Sequence, residues 1–573
     1  MIGLVAATAN GKRHATHLAG AWKDTHLYDG KPREALAAAW SECDSLVLFL
    51  ATGAAVRLIV PLLEDKRRDP GVVCVDDAGR FAVALAGGHA GGANKLAEQV
   101  SETLGAMPVI TTASDSLSVP ALDSLGERLG FHIEDGSDLA GVGAALVSGE
   151  KVWLLSERRW PIGPLPDNVV PSGSSLSEPG LPGIFITDRL AEAPGPGRVV
   201  YRPPSLVAGI GCSRGAEARE ILTLLDSALH EAGLSMKSVA ALASIDVKFD
   251  EAGLIDAANT LGVPLRFHTA GELAVIEVPN PSPVVAEAVG APSVAEASVL
   301  ASGAELLLEK RKSEKATVAL GRLPARGRLA LVSLGPGDDA LVPPLARDAL
   351  AASGLVVGLD QYVDRVRHLL RTGTRILTLP LGDEVARAEE ALAEARAGGS
   401  VALVSSGDIG VYAMASPALE MAELDDDIEV TLVPGVTASQ AAASLLGSPL
   451  GHDHCSISLS DLLTPWEVIE NRARAAAFGD FVVSLYNPRS RGRDWQLGKV
   501  RDILLQNRPP DTPVGVVKNA YREDQKVIIT DLASLPAEEV DMLTVVVVGN
   551  SQTRLIAGRM VTPRGYLQRE EER

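Results

Sequence analysis

Three glycine-containing segments in the last part of the chain could hold a ligand. Leu334-Gly335-Pro336-Gly337-Asp338, Ser405-Ser406-Gly407-Asp408 and Pro434-Gly435-Val436-Thr437 each follow an apolar run that predicts a buried strand. Glycine lets the backbone approach a ligand, and the ligands of α/β sheets bind beyond the carboxyl ends of strands. Neither GxGxxG nor GxxxxGK followed by Ser or Thr occurs in this part of the chain. The segments therefore predict a pocket for something other than a standard dinucleotide or nucleoside triphosphate.

A second group of polar residues falls between predicted strands and helices in the first half. Segment 87–95 surrounds His89 with glycines and opens a predicted helix, whose N-terminus would be available to an anion. Segment 209–215 is a similar loop, and Asp246 and Lys248 are expected on one side of a strand. The side chains of this half expected to bind substrate are Arg57, Asn94, Lys95 and Arg214.

The elements that must position these residues are those of an α/β protein. The chain has 573 residues, which at roughly 150 residues per domain predicts three to five domains. Aromatic residues make up only 4%, against 55 glycines and 35 prolines, and short apolar runs alternate with amphipathic Ala/Leu/Glu/Arg segments. We therefore expect several βαβ sheets in a multidomain α/β chain.

Charge and cysteine content exclude several classes of function. The net charge of −20 makes nucleic acid a poor first candidate for a partner. The four cysteines, at 43, 74, 212 and 455, are too far apart for a local zinc or cluster motif, so no metal site is expected and a reducing cytoplasm fits. The first residues lack a basic signal-peptide region, and no apolar run approaches the ~20 residues that span a bilayer. A soluble, cytoplasmic protein without a membrane partner is expected.

Composition along the chain suggests four regions. The strand-turn-helix rhythm ends near Asp115, a loop-rich stretch with many Pro, Gly and Ser residues follows, and a short Pro/Gly-containing peptide precedes the final region. The expected domains are 1–115, 116–204, 205–322 and 328–573, the last with lobes at about 328–440 and 450–565.

The segments of the final region resemble the tetrapyrrole methylase family over roughly 328–565. That resemblance implies a fold of two α/β lobes with S-adenosyl-L-methionine held between them. Ile409 stands where the family often has proline, which leaves the carboxylate of Asp408 in place. Asp408 could instead only cap a helix. Carried over residue by residue, the resemblance implies a cofactor site made of Pro336, Ser406, Gly407, Asp408, Val411, Thr437, Ala438, Asn487 and Ala520.

Within that family, residues 451–461 and 485–495 are similar to precorrin-3B C(17)-methyltransferases, the CobJ/CbiH type. This similarity implies methylation and ring contraction of a precorrin and a homodimer formed through the methylase half. Ring contraction calls for a base with a pKa near 7, and we take His454 rather than His452 as the candidate. The alternative is a turn histidine bonded only to backbone. A basic patch for the substrate's carboxylates is expected from Arg489, Arg491, Arg493, Lys518 and Arg522, with a solvated charged loop as the alternative.

The first half resembles the CbiG family of cobalt-precorrin-5A hydrolases over about 40–322, including 278–281 and 292–296. Ser213 departs from the basic pair usual in the family's loop. The resemblance implies opening of a lactone with release of acetaldehyde. Lactone hydrolysis needs a base and an oxyanion donor, for which His89 and the cationic or amide groups of Arg57, Asn94 and Lys95 are candidates. Cys212 is a less favoured nucleophile.

Three alternatives remain open from the sequence. Segment 87–95 could only bind acetate or propionate side chains, and the whole first half could be a non-catalytic tetrapyrrole carrier. The methylase half could keep the fold and act on RNA or a protein histidine. The sequence does not decide whether the substrates carry cobalt.

Overall fold

The computed structural model describes residues 1–65, 68–88, 91–111, 120–171, 181–190, 193–422, 428–490, 493–535 and 540–566. The chain divides into two compact units. The first contains Met1–Glu157 and Leu165–Pro324, and the second contains Arg158–Pro164 and Ala325–Arg573. Parallel-rich sheets covered by helices occur in both units, which confirms the α/β, multidomain prediction.

The first sheet belongs to the N-terminal region and is mostly parallel. Its central strands are buried on both faces, as expected for a parallel sheet covered by helices. The helix that follows the first strand begins where the Thr8 side chain accepts a hydrogen bond from the amide of Gly11. Across the sheet the strands are Thr25–Tyr28, Ile2–Ala6, Ser45–Phe49, Gly71–Val75, Phe81–Ala86 and Met107–Val109, and the helices are Ala9–Ala21, Pro32–Glu42, Thr52–Ile59 and Ala93–Leu104.

The second sheet forms the middle region. Asp138 begins its helix by accepting from the amide of Gly141 and also accepts from Gly197, so the carboxylate ties the helix start to a turn. In spatial order the strands are His132–Ile133, Arg198–Arg202, Gly183–Ile186, Val152–Ser156 and Val169–Pro171, with helix Leu139–Ser148.

The third sheet closes the first unit. Three parallel strands are followed by two antiparallel ones, and the buried pair Arg322–Asp188 joins this sheet to the middle region at 2.7 Å. The strands are Leu265–His268, Val239–Ile245, Leu206–Cys212, Ala316–Arg322 and Glu305–Lys312, and the helices are Ala218–Glu231, Ala252–Leu261, Ala270–Ala274, Pro283–Val289 and Ala295–Ala301.

The fourth sheet, in the second unit, is entirely parallel, so the carboxyl ends of all its strands lie at one edge. Its central strand Ser400–Ser405 is buried along its whole length. The strand order is Arg375–Thr378, Leu355–Gly358, Ser400–Ser405, Gly327–Ser333 and Ile428–Val433, and the helices are Pro344–Ala351, Asp360–Val366, Glu384–Arg396 and Ala415–Met421.

The fifth sheet is mixed and is accompanied by a small three-stranded sheet. Its strands are His454–Ser458, Val482–Tyr486, Thr544–Val548, Pro513–Lys518 and Lys526–Asp531, with helices Ala438–Leu446, Trp466–Phe478 and Gln496–Leu505. The small sheet contains Gly447–Ser448, Arg559–Val561 and Arg554–Ile556.

The short 3-10 helices are Val60–Leu62, Glu127–Leu129, Met236–Ser238, Asp246–Lys248, Asp339–Leu341 and Arg367–Leu369. Among the described residues, no helix combines the length and apolar character that crossing a membrane requires.

Candidate functional site

The strand ends and loops of two sheets in the second unit contact one another. In the fourth sheet, three neighbouring strands have their carboxyl ends at Ser333, Ser405 and Val433. In the fifth sheet, pairing directions place the carboxyl ends Ser458, Tyr486 and Lys518 together as well. We call the segments after these strand ends, 334–338, 406–412, 434–438, 459–461, 487–490 and 519–522, the loop cluster.

The first two loops of the cluster are held together by backbone hydrogen bonds. Gly335 and Gly407 exchange amide-to-carbonyl bonds of 3.1 and 2.7 Å, which form an isolated antiparallel bridge. Gly407 has a φ of +72°, a left-handed conformation that glycine adopts without strain. The sequence therefore places glycine where two strand-end loops must meet.

Asp408 joins the second loop to the third. Its Oδ2 accepts from the amide of Gly435 at 2.9 Å, and its Oδ1 accepts from the amide of Gly410 at 2.8 Å. A Cβ on Gly435 would lie 2.5 Å from both the carbonyl oxygen of Gly407 and the Cβ of Ser333, so only glycine allows this approach. The carboxylate predicted to contact a ligand thus also shapes the loops.

Tyrosines connect the two lobes across the cluster. The hydroxyl of Tyr486 lies 2.7 Å from Thr437 Oγ1 and accepts from the amide of Ser439 at 2.9 Å. Tyr412 donates to the carbonyl of Ser456 at 2.9 Å, and its ring lies 5.1 Å from that of Tyr486. These contacts fix the third loop and the helix after it against the second lobe.

Unused donors remain between the second and third loops. A Cβ built on Gly407 would be in ordinary van der Waals contact with Thr437 and Ala438, at 3.8 Å. Within the described part of the chain, the amides of Asp408, Thr437 and Ala438 donate no hydrogen bond. These amides would accommodate the acceptor groups of a polar ligand, because backbone amides need acceptors when they are covered.

The structure brings the residues expected at the cofactor into the loop cluster. Asn487, with φ +50°, follows its strand and donates to Ser458 Oγ at 3.0 Å. Ala520 lies between two left-handed residues, Asn519 and Tyr521. The full set in the cluster is Pro336, Ser406, Gly407, Asp408, Val411, Thr437, Ala438, Asn487 and Ala520.

His454 is not brought to the loop cluster. It begins strand His454–Ser458 opposite Val482, at the amino ends of the two parallel strands. The carboxyl end of this strand, at Ser458, lies four residues further along, which is ~13 Å at ~3.3 Å per residue. The exposed ring lies 3.2 Å from the carbonyl of His452, which is the backbone contact of the alternative interpretation.

The expected basic patch is only partly present on the surface. Arg493 is 6% exposed, so it cannot form part of an open patch. Lys518 Nζ is paired with Asp541 at 2.6 Å. The carboxylate raises the pKa of Lys518 and offsets its positive charge. Arg522 instead reaches the first loop, donating to the carbonyl of Pro336 at 3.0 Å. Arg489 is partly exposed on its loop, and Arg491 lies outside the described residues.

The first-half loop 87–95 differs from its expected role as an open anion site. The amides of Ala93 and Asn94, at the start of helix Ala93–Leu104, already donate to the carbonyls of Gly87 and Gly88 at 3.0 and 2.9 Å. A Cβ on Gly71 would lie 2.0 Å from the carbonyl oxygen of Gly91. The loop and strand therefore pack backbone against backbone, which is a structural reason for these glycines.

The positions of the other first-half candidates follow from the strand directions. Strand Phe81–Ala86 is antiparallel to Gly71–Val75, so the loop after it lies at the amino edge of the parallel strands. Asn94 is buried there and Lys95 is exposed, whereas Arg57 is exposed on a helix that begins at the opposite, carboxyl edge. His89 lies outside the described residues.

The carboxyl edge of the first sheet carries polar residues that sequence reasoning missed. Thr8 Oγ1 donates to a carboxylate oxygen of Asp77, and the Asn10 side chain donates to the carbonyl of Asp77. His14 stacks on Phe49 with ring centroids 6.1 Å apart. The available signal was the polar type of Thr8 and Asp77 at the ends of apolar runs.

The third sheet gathers charged groups at its carboxyl edge. Strand Val239–Ile245 ends before Asp246, and Asp246–Lys248 form a 3-10 turn, so the expectation that Asp246 and Lys248 share a strand face was wrong. Lys248 Nζ lies 3.6 Å from the buried carboxylate of Glu251. Arg214 is paired with Asp250 at 2.6 Å, so its charge is already matched.

Cys212 ends the neighbouring strand, close to this group of charges. Burial raises the pKa of its thiol, Lys248 opposes that change and Glu251 adds to it. A raised pKa disfavours the thiolate form at neutral pH, in keeping with its low rank as a nucleophile. All four cysteines are free.

Two distant motifs of the third region meet in one buried contact. Asn280 Nδ2 donates to Glu296 Oε1 at 2.8 Å and to Glu309 at 2.9 Å. Glu296 is 0% exposed. Segments 278–281 and 292–296 therefore share a structural connection that their spacing alone did not reveal.

A cavity of about 410 Å³ in the first unit also lay outside the predicted sites. It lies between the middle and third regions, lined by apolar side chains such as Leu234 and Met236 and by the ion-paired Glu134 and Lys237. Its walls come from distant parts of the sequence. Among the residues the structure describes, no group of three or more His, Cys, Asp or Glu side chains could hold a metal ion.

Comparison with known families accounts for most of the chain. Residues 34–115 match the model for Cobalamin synthesis G N-terminal, 120–203 Cobalamin biosynthesis central region and 206–321 Cobalamin synthesis G C-terminus. Residues 328–536 match Tetrapyrrole (Corrin/Porphyrin) Methylases.

Individual relatives match either the first half of the chain or the second. A protein of Salmonella typhimurium named "Probable cobalt-factor III C(17)-methyltransferase" is 47% identical over 242 residues, which are 42% of this chain and 99% of the relative. The "Cobalt-factor III methyltransferase" of Priestia megaterium is 45% identical over 42% of this chain, and the match spans only 45% of that longer protein. The "Cobalt-precorrin-5A hydrolase" of Priestia megaterium is 36% identical over 53% of this chain and 84% of its own length. The chain thus belongs to two families joined in one polypeptide, the cobalamin synthesis G family in its first half and the tetrapyrrole methylases in its second.

Proposed function

We propose that the chain is a bifunctional enzyme of corrin-ring synthesis. Its second half methylates C(17) of precorrin-3B or cobalt-factor III and contracts the macrocycle. Its first half opens the lactone of cobalt-precorrin-5A and releases acetaldehyde. The single observation that carries the methylase part is the loop cluster, in which Gly335, Gly407 and Asp408 join three strand-end loops.

The loop cluster supports S-adenosyl-L-methionine as the cofactor. When bound, this cofactor supplies an activated methyl group on a sulfonium, so the protein's main task is positioning. The unused amides of Thr437 and Ala438 are available to its acceptor groups. The left-handed Asn487 and the Asn519–Tyr521 segment close the same edge from the second lobe.

Two classes of group are needed for the hydrolase half, a base for water and donors for the developing oxyanion. His89 remains the proposed base. Lys95 at the amino edge of the first sheet and Arg57 at its carboxyl edge are exposed cations for different carboxylates of the substrate. Arg214 is a weaker candidate for a substrate contact than the sequence suggested, because Asp250 already neutralises it.

A homodimer formed through the second half is part of the proposal. Leu463 and Phe478 in the second lobe are 98% and 88% exposed, and large exposed apolar side chains support an association surface. The free cysteines and the net charge of −20 support a cytoplasmic enzyme that does not bind nucleic acid.

The test is incubation of the full chain with S-adenosyl-L-methionine and either metal-free or cobalt-loaded substrate, followed by mass spectrometry. We expect a methylated, ring-contracted product, and acetaldehyde when the lactone intermediate is supplied. Methyl transfer without acetaldehyde release would reduce the first half to a tetrapyrrole carrier. No methyl transfer to either substrate would overturn the methylase part.

A further inference from the structure

Two arginines from different lobes lie beside the first glycine loop of the cluster. Arg365, in helix Asp360–Val366, lines a small cavity together with Gly337, Tyr362 and Ser406. Asp339 lines it too, and its carboxylate is paired with His368 at 2.7 Å. Arg522 passes directly over this loop, since a Cβ on Gly337 would lie 2.5 Å from Arg522 Cγ. The two side chains therefore bring positive charge to one place where the first loop and the second lobe meet.

Neither arginine has a carboxylate partner among the described residues. Arg522 donates Nε to the carbonyl of Pro336 at 3.0 Å and Nη2 to Ser406 Oγ at 3.3 Å, both neutral acceptors. Arg365 forms no hydrogen bond or ion pair with any described residue. Asp524 acts on both arginines only from beyond 4.0 Å, and its Oδ2 accepts from Asn519 at 2.6 Å.

Two partly buried positive charges without a counterion are unfavourable. Burial lowers the pKa of Arg365, and burial together with the charge of Arg365 lowers the pKa of Arg522. Most buried charges in proteins are paired, and an anion bound here would remove both desolvation and repulsion costs. The planar guanidinium matches a carboxylate with two parallel N–H···O bonds.

We infer that Arg365 and Arg522 form a carboxylate-binding site at the first glycine loop. The inference rests on the proposed methyltransferase function, whose ligands supply two sources of carboxylate. One is the amino-acid end of S-adenosyl-L-methionine, and the other is an acetate or propionate side chain of the tetrapyrrole. Both present the same group to the arginines.

Arg365→Gln is the informative variant, because Arg365 makes no described contact whose loss would disturb the fold. Arg365→Lys keeps the charge, and Arg367→Gln is the matched control, since Arg367 is exposed and paired with Asp364 three residues away. Calorimetry of the full chain with S-adenosylhomocysteine and with 5′-methylthioadenosine, which lacks the carboxylate, tests the cofactor source. Absorbance titration with uroporphyrin III, which carries acetate and propionate groups, tests the tetrapyrrole source.

We expect Arg365→Gln to weaken the binding of one of the two carboxylate ligands by ~10-fold or more, and Arg365→Lys to restore part of that affinity. Weaker S-adenosylhomocysteine binding with unchanged 5′-methylthioadenosine binding identifies the cofactor carboxylate. Weaker uroporphyrin III binding with unchanged S-adenosylhomocysteine binding identifies the macrocycle.

The inference is overturned if Arg365→Gln changes the affinity for neither ligand more than Arg367→Gln does. It is also overturned if Arg365→Gln weakens the binding of 5′-methylthioadenosine as much as that of S-adenosylhomocysteine. Failure of the proposed function is a separate result. It would be seen in the unchanged chain, as absent cofactor binding and absent methyl transfer.

Discussion

Asp408 Oδ2 accepts a hydrogen bond from the amide of Gly435 at 2.9 Å, so a carboxylate in the second strand-end loop holds the third. The other oxygen, Oδ1, accepts from Gly410 at 2.8 Å within its own loop. A carboxylate oxygen can accept more than one hydrogen bond, so these contacts leave capacity for a ligand. Asp408 is therefore placed to organise the proposed cofactor site and to contact the cofactor as well.

Asp408→Ala should weaken S-adenosylhomocysteine binding by ~10-fold or more, because it removes a ligand acceptor and the bond to Gly435. Calorimetry on the full chain measures this. Asp453→Ala, at an exposed carboxylate of the same unit, is the control. Unchanged affinity in Asp408→Ala would show that the carboxylate only caps its loop.

His454→Ala should retain methyl transfer and ring contraction to within ~2-fold. The reason is its place at the amino end of strand His454–Ser458, remote from the carboxyl edge that carries the loop cluster. Single-turnover assays with mass-spectrometric detection of both steps check this. A ~100-fold loss confined to ring contraction would restore His454 as the base inferred from sequence.

Cys212 should not act as the nucleophile in lactone opening. Burial raises the pKa of its thiol, so less thiolate is present at neutral pH than for an ordinary cysteine, and alkylation should accelerate only at higher pH. Cys212→Ser should keep the rate of acetaldehyde release. Iodoacetamide labelling followed across pH gives an independent measurement, and rapid labelling at pH 7 with loss of activity would contradict the prediction.

Asn280→Ala should destabilise the first unit by about 2 kcal/mol, because it removes a donor from the fully buried carboxylate of Glu296. Glu296 would still accept the hydrogen bond from the amide of Lys310 at 3.2 Å. Urea unfolding followed by circular dichroism measures the loss. Asn259→Ala, at an exposed helix position of the same region, should change stability far less.

The loops of the methylase half could be predicted because each follows an apolar run directly. The contacts that assemble them could not, since Tyr412 meets Ser456 and Arg522 meets Pro336 across 44 and 186 positions of the chain. Sequence patterns report local strand and turn preferences. The pairing of distant loops depends on strand order, which only the folded structure provides.

Glycine has two possible roles in the first half that sequence reasoning does not separate. Segment 87–95 has the composition of a ligand loop, but a Cβ on Gly91 would lie 2.8 Å from the amide nitrogen of Gly71, so close backbone packing also calls for glycine there. Ligand approach and backbone packing both require the absence of a Cβ, so the residue type alone does not separate them. A different limit applies at Ile245, because the residue types do not fix where the strand ends, and it ends one residue before Asp246.

The final prediction separates catalysis from binding in the hydrolase half. A histidine between glycines is the one side chain of 87–95 whose ordinary pKa lies near neutrality, so His89→Ala should slow lactone opening by ~100-fold or more with little change in substrate binding. Arg57→Ala should act mainly on KM, because a cation that holds a substrate carboxylate contributes equally to ground and transition states. Steady-state release of acetaldehyde gives both constants. Arg33→Ala, at an exposed arginine of the same region, is the control for a general loss of positive charge. If His89→Ala turns over normally, the base lies elsewhere, and the polar carboxyl edge with Thr8, Asp77 and His14 becomes the next place to test.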